Sequence, residues 1–248
     1  MNTNRGIAVV AGVLFIIATV ADMVSRVAFL QPILSAPDYL TKISANEDQV
    51  LLGALLLFIG AVAAPGIAIA LYPVLRKHNG GLALGSVGFR LVEGALYLGI
   101  VVCLLSLVTL SQESAKAGAP APSAFQVQAA LLMAARDSLG HVSVLTFGLG
   151  GLMYYWVFYQ SRLVPRWLSA WGLVAIPLVM VSMLLVMFRL IESFSPLQLV
   201  LALPIFLQEM VLAVWLIVKG FNPRAITSAP AIAAAPVIEP SLAGAGAL

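Results

Sequence analysis

Asp22, Arg26, Arg90, Glu93, Arg136, Asp137, His141, Arg189, Glu192 and Glu209 are the side chains in this sequence able to do chemistry. All fall within or at the edge of long apolar segments. A charged group at the centre of a membrane helix costs about 2.5–3.5 kcal/mol on insertion scales, so each should face protein or trapped water and not lipid. The available chemistry is proton exchange by carboxylates, ion pairing, or recognition of a charged solute. Ser86, Arg90, Glu93 and Tyr97 follow one another at intervals of four, three and four residues, which makes one polar stripe on a helix. In Arg90 and Glu93 the base precedes the acid, the weaker order for a pair within one helix, so at least one should find its partner on another helix. Asp22 and Arg26 have the favoured order, acid first and four apart, and Asp137 and His141 repeat the spacing. Counting from the helix ends puts Glu93, Asp137 and Glu209 nearest the midplane. Asp22, Arg26, Arg136 and Arg189 fall in the outer half. The expected arrangement is a buried polar network that opens toward the outside.

The elements that position these groups are six apolar segments: Gly6 to Leu30, Val50 to Leu75, Gly81 to Leu110, Phe125 to about Tyr159, Trp167 to about Phe188, and Pro196 to Val218. Each suffices for the roughly 20 residues that a bilayer crossing requires. Of the 248 residues, 62% are hydrophobic and only 9% charged, with a mean hydropathy of +1.06. Soluble domains are about 25% charged, so this chain has too few polar side chains to cover a water-facing surface. The fold class is an all-α integral membrane bundle over residues 1–223, followed by an Ala/Pro-rich stretch, 224–248, expected to be a disordered cytoplasmic tail. The start of the first segment is similar to a signal peptide. Its length, the lack of a small-x-small cleavage site and the five spans that follow favour a retained helix.

Lysine and arginine set the expected orientation. Arg5, Arg76, Lys77, Arg162, Arg166, Lys219 and Arg224 fall on one side, and only Lys42 and Lys116 on the other. Both termini are therefore expected in the cytoplasm. Tyr72, Tyr154, Tyr155, Trp156, Tyr159, Trp167 and Trp171 cluster at the same ends, as an interfacial belt should. Residues 35–49 and 111–124 read as polar loops between spans. Pro65, Pro177 and Pro204 each remove a helical hydrogen bond and should bend their spans. Gly81, Gly85 and Gly88, the run Gly60 to Ala64, and Gly148, Gly150 and Gly151 read as close-packing surfaces.

Other functions lack support. The net charge of +3 is small and its basic residues sit at helix ends, which does not suggest nucleic-acid binding. Cys103 is the single cysteine and suits apolar packing. His141 lacks histidine partners for a metal, since His78 lies in a turn between spans. No HExxH, Gly-x-Ser-x-Gly, Walker loop or CxxCH motif appears, so neither an enzyme nor a cofactor is indicated. The two halves share weak features: an acid four residues before a basic group in spans one and four, a proline in spans two and five, and Glu93/Leu96 against Glu209/Leu212 in spans three and six. An inverted repeat, as in several transporter folds, would produce that pattern.

The stretches FRLVEGALYLG (89–99), LVPRWLSAWGLV (163–174) and QEMVLAVWLIVKGFNP (208–223) together resemble the bacterial membrane-protein family known as domain of unknown function 4386. The matching positions are Arg90, Glu93, Pro165, Arg166, Trp167, Glu209, Trp215, Lys219, Gly220 and Phe221. The resemblance covers roughly residues 5–223. It implies a multi-pass protein of the bacterial inner (plasma) membrane, in contact with the lipid bilayer, and assigns no catalytic or binding residue. Two function classes remain. One is a scaffold or accessory protein whose charged network specifies helix packing. The other is a small-solute or proton-coupled carrier that titrates Glu93 and Glu209. Neither solute nor protein partner is specified. The observation that bears most on the choice is whether the charged residues line a solvent-connected cavity or a closed, dry core.

Overall fold

A computed structural model describes residues 3–118 and 123–227 of the chain. The first span starts as α1 (Thr3–Val24), passes through a π-helical turn (Ser25–Leu30) and ends in α2 (Gln31–Leu34). A short α3 (Tyr39–Ala45) follows. The remaining spans are α4 (Glu47–Leu75), α5 (Gly80–Lys116), α6 (Ser123–Ser161), α7 (Arg166–Met187) and α8 (Pro196–Val218). All six spans are long and apolar enough to cross a membrane. A last helical turn, α9 (Pro223–Thr227), occupies the first residues of the stretch read as a tail, and Ala225 in it is buried. The rest of that stretch lies outside the described residues.

Polar residues mark the helix boundaries. The Asn79 side chain accepts a hydrogen bond from Leu82 N–H at 3.0 Å and starts α5, while Ser195 accepts from Gln198 N–H and starts α8. Pro196 follows Ser195 at the first helical position, where its missing N–H costs nothing. At the other end of α8, Arg5 donates to the free carbonyls of Leu216, Ile217 and Val218. Gly220, at φ +73°, then reverses the chain into α9.

The spans form a closed ring. Each packs on the next in sequence, and the sixth returns to pack on the first. Two apolar cores fill the ring at opposite ends. One is built around Phe15, Tyr154, Tyr155, Phe158 and Leu212, the other around Ile43, Leu57, Leu104 and Leu107. Side chains such as Val62, Val102, Val174 and Val200 point outward, as lipid contact requires.

The loops are shorter than the sequence suggested. Helix α5 continues to Lys116 and α6 begins at Ser123, which leaves little of the 111–124 loop; residues 119–122 of it lie outside the described residues. Residues 35–49 contain α3 and the start of α4. With 39 residues at about 1.5 Å each, α6 is about 58 Å long and exceeds a hydrocarbon core of about 30 Å. The helices also run unbroken through Pro65, Pro73, Pro177 and Pro204. Tight packing accommodates the first of these: a Cβ on Gly94 would lie 2.7 Å from the Ala61 carbonyl, the acceptor that Pro65 leaves without its helical N–H. Gly85, Gly148, Gly150 and Gly151 make similar close approaches, whereas Gly88 faces open space.

Candidate functional site

All six spans contribute to a cavity of about 540 Å³, whose rim includes the exposed Met23 and Val27 of the first span and Val200 and Leu203 of the sixth. Its charged wall consists of Asp22 and Arg26 from the first span, Arg90 and Glu93 from the third, and Glu209 from the sixth. Most of the remaining wall is apolar, including Phe147, Phe206, Ile67 and Val179. The cavity reaches Phe194 and Leu199, in and just after the turn that joins α7 to α8, and so extends toward that end of the bundle. Below Glu209, the packed rings of Tyr154, Tyr155 and Phe158 fill the opposite end. The Tyr155 hydroxyl donates to Gln208 Oε1, and Gln208 Nε2 donates to the Leu168 carbonyl, which ties spans four, five and six together there.

Local geometry explains where each charge ends. Arg26 Nε donates to Asp22 Oδ1 at 2.8 Å, and its guanidinium lies over the Tyr97 ring, 5.6 Å from the centroid. Arg26 sits in the π-helical turn, whose neighbouring Ser25 hydroxyl donates to the Gly53 carbonyl on span two at 2.7 Å. Arg90 and Glu93 are 2% and 5% exposed. Their nearest approach is 2.9 Å between Nη1 and Oε2, an ionic contact outside hydrogen-bond angles. The two thus form their ion pair within one helix, and the partner expected on another helix for at least one of them is, for Arg90, a backbone carbonyl. Burial removes competing water, so even the less favoured order pairs locally. The groups that Arg90 contacts directly on other helices are neutral, with Glu209 of the sixth span within electrostatic reach but not in an ion pair. Arg90 Nε donates to the Ala64 carbonyl at 3.3 Å, and its guanidinium covers the Phe147 ring at 5.1 Å. Gly150 makes room for this, since a Cβ there would meet Arg90 Cγ at 3.1 Å.

Glu209 differs from both pairs. Its Oε2 accepts a hydrogen bond from the Thr19 hydroxyl at 3.2 Å, and its buried Oε1 has no hydrogen-bond partner. It makes no ion pair among the described residues. Three acids and two arginines line the cavity, and both arginines are already paired. Glu209 is the carboxylate left over.

The other predicted site residues are placed differently. Arg136, Asp137 and His141 line a second cavity of about 510 Å³ that adjoins the first and shares Asp22, Arg26 and Tyr97 with it. There Arg136 Nη1 contacts Asp137 Oδ1 at 3.0 Å, and the Asp137 side chain is 54% exposed. Asp137, expected to lie near Glu93 and Glu209, is instead separated from them: it lines only the second cavity. Arg189 and Glu192 are exposed and line neither cavity. Helix α7 stops at Met187, and Arg189 takes a left-handed turn conformation at φ 58° beyond it, so these two leave the buried network. Sequence reasoning missed Thr19, Phe147 and Phe206. Two of them carry a signal in retrospect, since Thr19 and Phe206 precede Asp22 and Glu209 by three residues and share their helix faces.

These features define a six-helix, multi-pass membrane protein with a charged cavity inside its ring of spans. The chain belongs to the family described as Domain of unknown function (DUF4386), whose model matches residues 10–220. No curated protein and no solved structure matches the chain.

Proposed function

We propose that this protein is a proton-linked carrier of a small solute, which binds in the charged cavity of a bacterial plasma membrane protein with both termini in the cytoplasm. The observation that supports this reading is the cavity itself, since charged groups from the first, third and sixth spans converge on space and not on a sealed core. Its volume falls within the range of about 300–1,000 Å³ usual for small-molecule sites. A role in packing alone is less well supported, because the Asp22–Arg26 and Arg90–Glu93 ion pairs each join residues of one helix, and the arginines reach other helices only through a carbonyl and aromatic rings. In this reading Arg90 holds Glu93 in place, and Glu209 is the group that exchanges a proton or a ligand.

Thiol accessibility tests the proposal. In a Cys103→Ser background, single cysteines at Thr19 and Ser143, both on the cavity wall, should react with a membrane-impermeant thiol reagent from one side of a vesicle. An imposed pH gradient should shift that reactivity toward the other side. Cysteines inert from both sides at every gradient would identify a closed packing core.

A further inference from the structure

We infer that the solute is a monovalent organic cation with an apolar body, and that Glu209 is its counter-ion; this rests on the cavity-binding reading above. Three observations converge. The cavity holds one carboxylate more than its arginines can pair, and that carboxylate is Glu209. Its Oε1 is buried and lacks a hydrogen-bond partner, and the Glu209 side chain belongs to the cavity wall, so the carboxylate beside the space keeps an unmet acceptor. Around it the wall is mainly apolar.

Aromatic placement strengthens the assignment. Phe206 lies one turn before Glu209 on the same face of α8 and lines the cavity with it. Phe147 and Tyr97 are already covered by Arg90 and Arg26, whereas no cation in the described residues covers Phe206. A carboxylate and an aromatic ring one helical turn apart on the same cavity wall provide the two kinds of contact that hold a quaternary or protonated amine. An anionic solute would have to displace a paired carboxylate from Arg26 or Arg90. A neutral solute would suit only the protonated form of Glu209 and leave its ionised form unmatched. One excess negative charge selects a single positive one.

Benzyltrimethylammonium and neopentylbenzene provide the test, because they share a shape and differ in charge. Binding of each to the purified full-length protein is measured at constant pH, for the wild type and for Glu209→Gln, which keeps side-chain volume. The wild type should bind the cation at least about tenfold more tightly than the hydrocarbon, the preference expected of a buried charge-assisted contact. Glu209→Gln should bind both alike, and its retained affinity for the hydrocarbon would show an intact cavity. Equal binding of the two probes by the wild type, or a cation preference that survives in Glu209→Gln, overturns the inference and leaves the cavity reading in place. If neither probe binds the wild type, both fall.

Discussion

Replacing Arg90 by leucine should destabilise this protein more than replacing Arg90 and Glu93 together. Arg90 and Glu93 are almost fully buried, and their contact is 2.9 Å. Removing one member of such a pair strands the other charge, at a cost of about 3–5 kcal/mol. Loss of the guanidinium over Phe147 adds about 0.5–2 kcal/mol. The Ala64 carbonyl loses a donor at 3.3 Å but keeps its place in the helix, so that contribution is small. In the double variant Arg90→Leu with Glu93→Leu no charge is stranded, and apolar replacement of a whole buried pair is often neutral or stabilising by about 1–4 kcal/mol. The double variant should therefore recover most of the single variant's loss. Equilibrium unfolding in mixed micelles, run as a double-mutant cycle, measures the coupling directly. Additive losses, with the double variant worse than either single one, would refute the assignment of Arg90 and Glu93 as a self-contained pair.

Gly94→Ala should lower stability by about 1–3 kcal/mol, read by the same unfolding assay, because its Cβ would lie 2.7 Å from a backbone oxygen on span two. Gly220→Ala should lower the unfolding temperature as well, since it forces a side chain into a left-handed conformation at φ +73° and brings its Cβ to 2.9 Å from Arg5 Nη1. An Arg5→Ala change should reproduce part of that loss and make the Gly220 change milder, a coupling that unfolding temperatures of the three variants reveal. Burial, with Lys77 beside it, holds the His78 imidazole below its ordinary range in the turn between α4 and α5. The unfolded chain then binds the proton more readily than the folded one. Stability should therefore fall as pH drops through the ordinary imidazole range, and His78→Gln should flatten that part of a stability–pH profile.

The sequence by itself determined the membrane class, the number of spans and the residues that must avoid lipid. Insertion energetics act on each segment alone, so an apolar run of sufficient length and a charge within it are both visible locally. The acid-first spacing of Asp22 and Arg26 is likewise a local property of one helix, and the pair forms. Only the tertiary structure decided which charges share a space. Glu93 and Glu209 have similar sequence surroundings, yet Glu93 has Arg90 on its own helix while the neighbours of Glu209 come from distant segments, with Thr19 as its hydrogen-bond partner. The ends of α6 and α7 fall within two residues of the sequence reading, but which side chains near them are covered was equally hidden: Asp137 lies on the second cavity, and Arg189 and Glu192 are exposed. Pairing, and the absence of a pair, depends on how the ring of helices closes, and closure is a property of all six spans at once.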